Sequence, residues 1–275
     1  MKLFRHNTCT PINPIYAGIT VNNNEINFNW DSDSASNDLI HLNEDSSGSY
    51  DEDGVHYFYA YSFVEGCNAR EKKIVRNYLK CKTDPSLIYS ENLEDFVDQG
   101  VLQLDHFCNL NKFVATVYLE STSSDYSLVD LMGSYIFEYT QPHNTQIDFK
   151  LLKKIYSEVR FDSTAAYNAL IAAGYSDSDA KHEIQFTEKK FAELKQSNEL
   201  FQMKRFIPKE IRTAFLDFLK FKSPKDEKLY RLLQGVDVLI YDDFLTSGAT
   251  IREVIRYLRS INPNNTLTVF VLVKQ

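Results

Sequence analysis

Near the end of the chain, four bulky apolar residues (238–241) run into two aspartates, then into a Thr-Ser-Gly-Ala-Thr loop that opens onto an amphipathic stretch: VLIYDDFLTSGATIREVIRYL. Val238, Leu239, Ile240 and Tyr241 lack helical spacing, which is the pattern of a short strand buried on both faces of a parallel sheet. Beyond the loop, Ile251, Val254, Ile255 and Leu258 recur at helical spacing, with Arg252, Glu253, Arg256 and Arg259 on the other side. Strand, loop and helix in that order constrain the fold to one that builds a parallel sheet through helical crossovers.

The rest of the chain carries the same alternation. HYFYAYSFV (56–64), FVATVYLE (113–120) and NTLTVFVLV (265–273) are aromatic and β-branched runs that predict strands. AREKKIVRNYLKCK (69–82) predicts a helix, with Ile74, Val75, Tyr78 and Leu79 as its apolar stripe and a basic opposite face. SYIFEY (134–139) reads as a further strand. Asp148 caps a helix beginning FKLLKKIYSEV and, with TAAYNALIAAG and EKKFAELKQ, makes residues 148–199 a helical block, expected as an insertion in the sheet domain. LFQMKRFI (200–207) would return the chain to the sheet. Strands separated by helices favour a mainly parallel α/β sheet flanked by helices.

Two units are expected: an N-terminal extension, 1–55, and an α/β domain, 56–275, that carries the insertion. Within the first, residues 31–54 are rich in Ser, Asp and Glu without a Lys or Arg, the composition of a flexible acidic loop. The 43% hydrophobic content supplies a core. A formal net charge of -8 argues against general binding to nucleic acid or anionic membranes, so basic patches matter only locally. No apolar run reaches membrane-spanning length, the N-terminus lacks a signal-peptide core, and the four cysteines form no Cys-x-x-Cys pair. The expectation is a cytoplasmic protein with free thiols.

Loop N–H groups and the start of the following helix make an anion site, to which Thr246, Ser247 and Thr250 add hydroxyl donors. Gly248 permits close backbone approach. Asp242 and Asp243 stand at the carboxyl end of the strand, where open α/β sheets bind ligands, and can accept from vicinal hydroxyls or hold a hydrated Mg²⁺. Helix capping accounts for one acidic or hydroxyl residue, not for two aspartates, three hydroxyls and a glycine together.

The segment VLIYDDFLTSGAT resembles the phosphoribosyl pyrophosphate (PRPP) motif of type I phosphoribosyltransferases: an apolar strand, two acidic residues, two spacers, a Thr/Ser pair, Gly, a small residue and Thr. The resemblance implies that family's fold and PRPP as substrate with Mg²⁺. It further implies Asp242 and Asp243 on the ribose hydroxyls and the metal, and Thr246, Ser247, Gly248, Ala249 and Thr250 around the 5′-phosphate. A pyrophosphate loop is then expected after the first core strand, where Ser121, Thr122, Ser123 and Ser124 follow FVATVYLE. Cationic help for the leaving diphosphate is expected from KRFIPKEIRTAF, which concentrates Lys204, Arg205, Lys209 and Arg212. Arg205 is assigned the catalytic role beside the two aspartates. The ending of this segment is similar to the ComF-like branch of the family.

The implied activity is transfer of phosphoribosyl between diphosphate and a nucleobase or nucleotide acceptor. Two alternatives stay open: a non-catalytic nucleotide-binding regulatory module, and a nucleotide-targeting effector subunit of a defence or toxin system. The helical block offers a surface for a second copy or another protein. The basic face formed by Arg70, Lys72, Lys73, Arg76, Lys80 and Lys82 is either a solvated helix face or a contact for nucleic-acid phosphates.

Overall fold

A computed structural model describes residues 18–22, 25–30, 40–42, 49–82, 84–120, 127–140, 146–203 and 206–275. The strands are β1 (Gly18–Asn22), β2 (Glu25–Asn29), β3 (Ile40–Leu42), β4 (Ser49–Glu52), β5 (Val55–Phe63), β6 (Ala115–Leu119), β7 (Ile147–Lys153), β8 (Arg160–Phe161), β9 (Phe215–Leu216), β10 (Leu219–Phe221), β11 (Asp237–Leu245) and β12 (Thr266–Lys274). The helices are α1 (Ala69–Leu79), α2 (Glu91–Cys108), α3 (Leu128–Thr140), α4 (Ser163–Ala172), α5 (Asp177–Lys195), α6 (Pro224–Leu232) and α7 (Ala249–Ile261).

Among the described residues, ten strands form one sheet in the order β10-β7-β6-β11-β12-β5-β3-β1-β2, with β4 also pairing β5. The central neighbours β7, β6, β11, β12 and β5 all run parallel, whereas the outer strands pair antiparallel. The chain is therefore an α/β protein built on a sheet with a parallel centre, flanked by helices. Alternation along β11 divides the core between the two faces. Val238 and Ile240 pack with α4, α5, α6 and α7, while Leu239 and Tyr241 pack with α1, α2 and α3. Each of these four side chains is buried, and full burial of an aliphatic side chain contributes about 1.5–3 kcal/mol. Among the described residues no helix is long and apolar enough to cross a membrane.

Local chemistry explains several boundaries. Asn68 accepts from the Arg70 and Glu71 amides while Glu71 reaches back to the Asn68 amide, a capping box that starts α1. Gly133 lets α3 approach the sheet: a Cβ there would stand 2.6 Å from the hydroxyl of Tyr241. On α7, Glu253 is buried rather than part of the outer face, and it holds Arg256 at 2.7 Å, which in turn reaches Asp217 at 2.6 Å.

Four expectations need correction. Residues 147–153 form β7, not the first helix of an insertion. Phe149 and Leu151 alternate inward between β6 and β10, and the short apolar run has too few residues for its period to separate strand from helix. Asp148 accepts from the Thr116 hydroxyl at 2.5 Å instead of capping a helix. The helices of the block are α4 and α5, which pack on one face of the sheet. Residues 134–139 belong to α3, whose buried positions Leu128, Met132 and Ile136 are four apart, and Phe137 of the supposed strand is 56% exposed. The described residues of 200–207 form no strand of the sheet; Leu200 makes an isolated bridge to Ile155, and residues 204 and 205 lie outside the described residues. Finally, the acidic stretch 31–54 is not all loop. It contributes β3 and β4, and β4 turns into β5 through Asp53 and Gly54, both at positive φ, as a two-residue hairpin requires.

Candidate active site

Pairing of β6 with β11 ends at Tyr118 opposite Tyr241, whereas β12 follows β11 as far as Leu245. Asp242 and Asp243 therefore stand just where β6 stops, on the open side of their strand. The connection from β6 runs through α3 to β7 on one side, and that from β11 runs through α7 to β12 on the other. The crevice between β6 and β11 is thus a topological switch point, the place where doubly wound sheets bind ligands.

A cleft of about 370 Å³ opens there, lined from β6 by Leu119 and Glu120, from the start of α3 by Ser127, from β7 by Lys153, and from β11 and its loop by Asp242, Asp243, Thr246 and Thr250. Arg76, Lys80 and Lys82 close it from α1 and the turn after it. Four basic side chains face three acidic ones in this cleft, on a chain whose net charge is -8. The cleft is a local reversal of charge that suits an anion carrying hydroxyls or a metal.

The two aspartates differ. Asp243 is buried and paired with Lys80, whose Nζ donates at 2.7 and 2.8 Å and lies 5.2 Å from the centre of the Phe244 ring. Asp242 is part-buried and accepts from the Asp243 amide at 2.9 Å. Desolvation first, and then repulsion from Asp243, push the Asp242 carboxyl up to about 7, with Lys80 opposing. Burial also holds the Lys153 ammonium below the ordinary lysine value; Asp242 pulls the other way and Lys80 adds to the lowering.

This has a consequence for stability. A carboxyl whose folded-state value lies above its unfolded value of about 4 destabilises the fold progressively as pH rises between the two. Asp242→Asn is therefore expected to match the wild type in thermal stability near pH 4 and to exceed it by a widening margin up to pH 8. Melting curves across that range check the sign.

The loop after β11 presents two sides. Thr246 and Thr250 line the main cleft, while Thr246, Ser247 and Gly248 line a second hollow of about 160 Å³ together with Tyr50, Tyr57, Arg252 and Lys274. Gly248 caps α7 at φ 69°, in the left-handed region that favours glycine, and no side chain caps the helix. Ala249 is buried, which fixes the first turn of α7 against the core.

Of the residues expected at the site, Asp242, Asp243, Thr246 and Thr250 come together in one cleft, and Ser247 and Gly248 sit on the far side of the same loop. Ser121, Thr122, Ser123, Ser124, Lys204 and Arg205 lie outside the described residues. Glu120 and Ser127, which bracket the serine-rich loop, both line the cleft. Lys209 and Arg212 do not line it. They sit on a single 3₁₀ turn, Lys209–Ala214, where Lys209 pairs with Glu210 and Arg212 donates to the Ile207 carbonyl. Among the described residues, the cations that line the cleft with the aspartates come from α1, the turn after it and β7. For those of α1 and its end, the signal was the spacing of Lys72, Arg76 and Lys80 at every fourth position, a stripe that one helix face aims in a single direction.

No protein-family model and no curated protein matches the chain. Among solved structures, a hypoxanthine phosphoribosyltransferase from Staphylococcus aureus is similar over 66% of this chain, at 13% identity and a TM-score of 0.32. The match spans 65% of that enzyme's chain, just under two thirds of its length.

Proposed function

We propose that the cleft binds PRPP and that the chain transfers its phosphoribosyl group to a nitrogen acceptor. One observation carries the reading: paired aspartates at the carboxyl end of the central strand, at the switch point of the sheet, one short loop before a helix N-terminus with no side-chain cap. An anionic sugar phosphate satisfies both halves of that arrangement. The 5′-phosphate takes the Thr246–Gly248 amides and the first turn of α7, and the ribose hydroxyls donate to Asp242 and Asp243.

Mg²⁺ fits this donor set as a guest of the substrate. Among the described residues no group of three or more His, Cys, Asp or Glu could hold a metal alone, and Mg²⁺ commonly takes one or two carboxylates with substrate phosphates. Asp242 and Asp243 are the residues that would hold it, and when bound it would neutralise charge on the diphosphate.

The remaining work belongs to the chain's own cations. In the reaction the bond from C1 to the diphosphate oxygen breaks with its electron pair on oxygen. The acceptor nitrogen forms the new bond to C1 and gives up its proton. Lys80 and Lys153 stand beside the aspartates, where negative charge accumulates on the leaving diphosphate, and stabilise that charge in a partly desolvated cleft. Lys80 is the cation this reading assigns beside the aspartates; Arg205 lies outside the described residues. Positioning by the loop and electrostatics from the cleft suffice, without a side-chain nucleophile.

The experiment is calorimetric titration of PRPP with Mg²⁺, followed by assay of diphosphate release across purine, pyrimidine and nucleotide acceptors. Saturable binding followed by acceptor-dependent release is the expected result. Binding without release, cell extract included among the acceptors, would reduce the chain to a nucleotide-binding module, and absence of binding would remove the reading.

A further inference from the structure

Seating PRPP leaves two cations of the cleft unused. Lys80 and Lys153 flank the aspartates, but Arg76 and Lys82 line the same cleft farther along α1 and the turn after it. Arg76 donates to a neutral partner, Oε1 of Gln275, at 3.4 Å, and Lys82 is exposed at the rim. Among the described residues neither is paired with a carboxylate. Lys72, Arg76 and Lys80 recur at every fourth position, so they form one stripe that spans about 12 Å at helical rise. Lys72 rests 5.5 Å from the centre of the Phe63 ring, and the stripe ends in the ion pair with Asp243.

A neutral nucleobase gives such a stripe nothing to hold. A phosphate does: a guanidinium fork and an ammonium lining the same cleft suit its oxygens, in bidentate and point-charge fashion respectively. Resting on the reading of the cleft above, we propose that the acceptor carries a phosphate of its own, seated between Arg76 and Lys82. Its class is then a nucleotide or the phosphorylated end of a nucleic acid, not a free base. The basic face of α1 is on this account the acceptor side of the site, and the net charge of -8 confines nucleic-acid contact to that stripe.

The test uses the full chain saturated with ribose 5-phosphate and Mg²⁺-diphosphate, so that the phosphate loop is filled and no transfer occurs. Calorimetry follows binding of four nucleoside 3′-monophosphates, the matching nucleosides and bases, a 5′-phosphorylated tetranucleotide and a carboxylated pyrimidine. At least one phosphorylated probe should bind tenfold or more tightly than its dephosphorylated counterpart. The double variant Arg76→Gln, Lys82→Gln should lose at least ten times more affinity for that probe than for ribose 5-phosphate. Preference for the mononucleotide or for the tetranucleotide identifies the source of the phosphate. Indifference to the phosphate, retention of binding in the variant, or dependence on the two cations for the carboxylated pyrimidine alone would overturn the proposal. If ribose 5-phosphate itself fails to bind, the reading of the cleft falls, whereas a phosphorylated probe lost only in the variant would still support the subsite. Silence toward every probe overturns both.

Discussion

The double variant Asp242→Asn, Asp243→Asn is expected to lose at least a hundredfold in affinity for Mg²⁺-PRPP while keeping its fold. The two carboxylates line the cleft past the last pairing of β6 with β11, so their replacement removes ligand contacts without opening the core. About 1.4 kcal/mol corresponds to each factor of ten, so the loss amounts to two hydrogen bonds to charged groups, at about 1.5 kcal/mol or more each. Two effects act on stability in opposite directions. Relief of the strained Asp242 charge stabilises the variant at pH 8, and loss of the Asp243 partner leaves the Lys80 ammonium part-buried and unpaired. Parallel calorimetry and melting curves separate binding from folding; equal affinity in variant and wild type would dismiss the ribose assignment.

Lys80→Ala is expected to cut diphosphate release by about 10²–10³-fold, the range typical for removing one preorganised donor from developing negative charge. The affinity for ribose 5-phosphate, which carries no diphosphate, should fall less than tenfold. Lys80→Arg should recover part of the rate because it restores the charge with a different donor geometry. The split between rate and ribose 5-phosphate affinity matters because Lys80 also neutralises Asp243. If its role were only to support that carboxylate, both quantities would decline together, and release unaffected in Lys80→Ala would return the search for the cation to Arg205.

The parts of this site that could be read from the sequence are those formed by contiguous residues. Strand, aspartates, loop and helix occupy residues 237–261 in one uninterrupted run, and each expected element appears there. The basic stripe of α1 was legible but its place in the cleft was not, because it reaches the cleft from elsewhere in the chain. Lys80 meets Asp243 across 163 positions, through the parallel pairing of β5 with β12 that brings α1 to the same end of the sheet. A concentration of Lys and Arg just upstream of the motif, at residues 204–212, attracted the assignment; of these, Lys209 and Arg212 lie away from the cleft, and Lys204 and Arg205 are outside the described residues. Misread elements have a related cause. In β7, Phe149 and Leu151 face the core while Leu152 follows at once, so a two-residue period and a helical stripe predict nearly the same pattern over seven residues. In α3, the aromatic and β-branched run 135–139 suggested a strand, yet Tyr135 and Tyr139 are four apart, as one helical face requires, and Tyr139 donates to Asp98 of α2 at 2.6 Å. Tertiary packing overrode strand propensity there.

A crystal structure of the chain grown with PRPP and Mg²⁺ tests the central claim most directly. The account predicts the 5′-phosphate on the amides between Thr246 and Thr250, the ribose hydroxyls within hydrogen-bond distance of Asp242 and Asp243, and the Lys80 ammonium moved from Asp243 to a diphosphate oxygen. A ligand bound away from the β6–β11 crevice, or one in the crevice with its phosphate turned from the start of α7 and Lys80 still locked on Asp243, would contradict it.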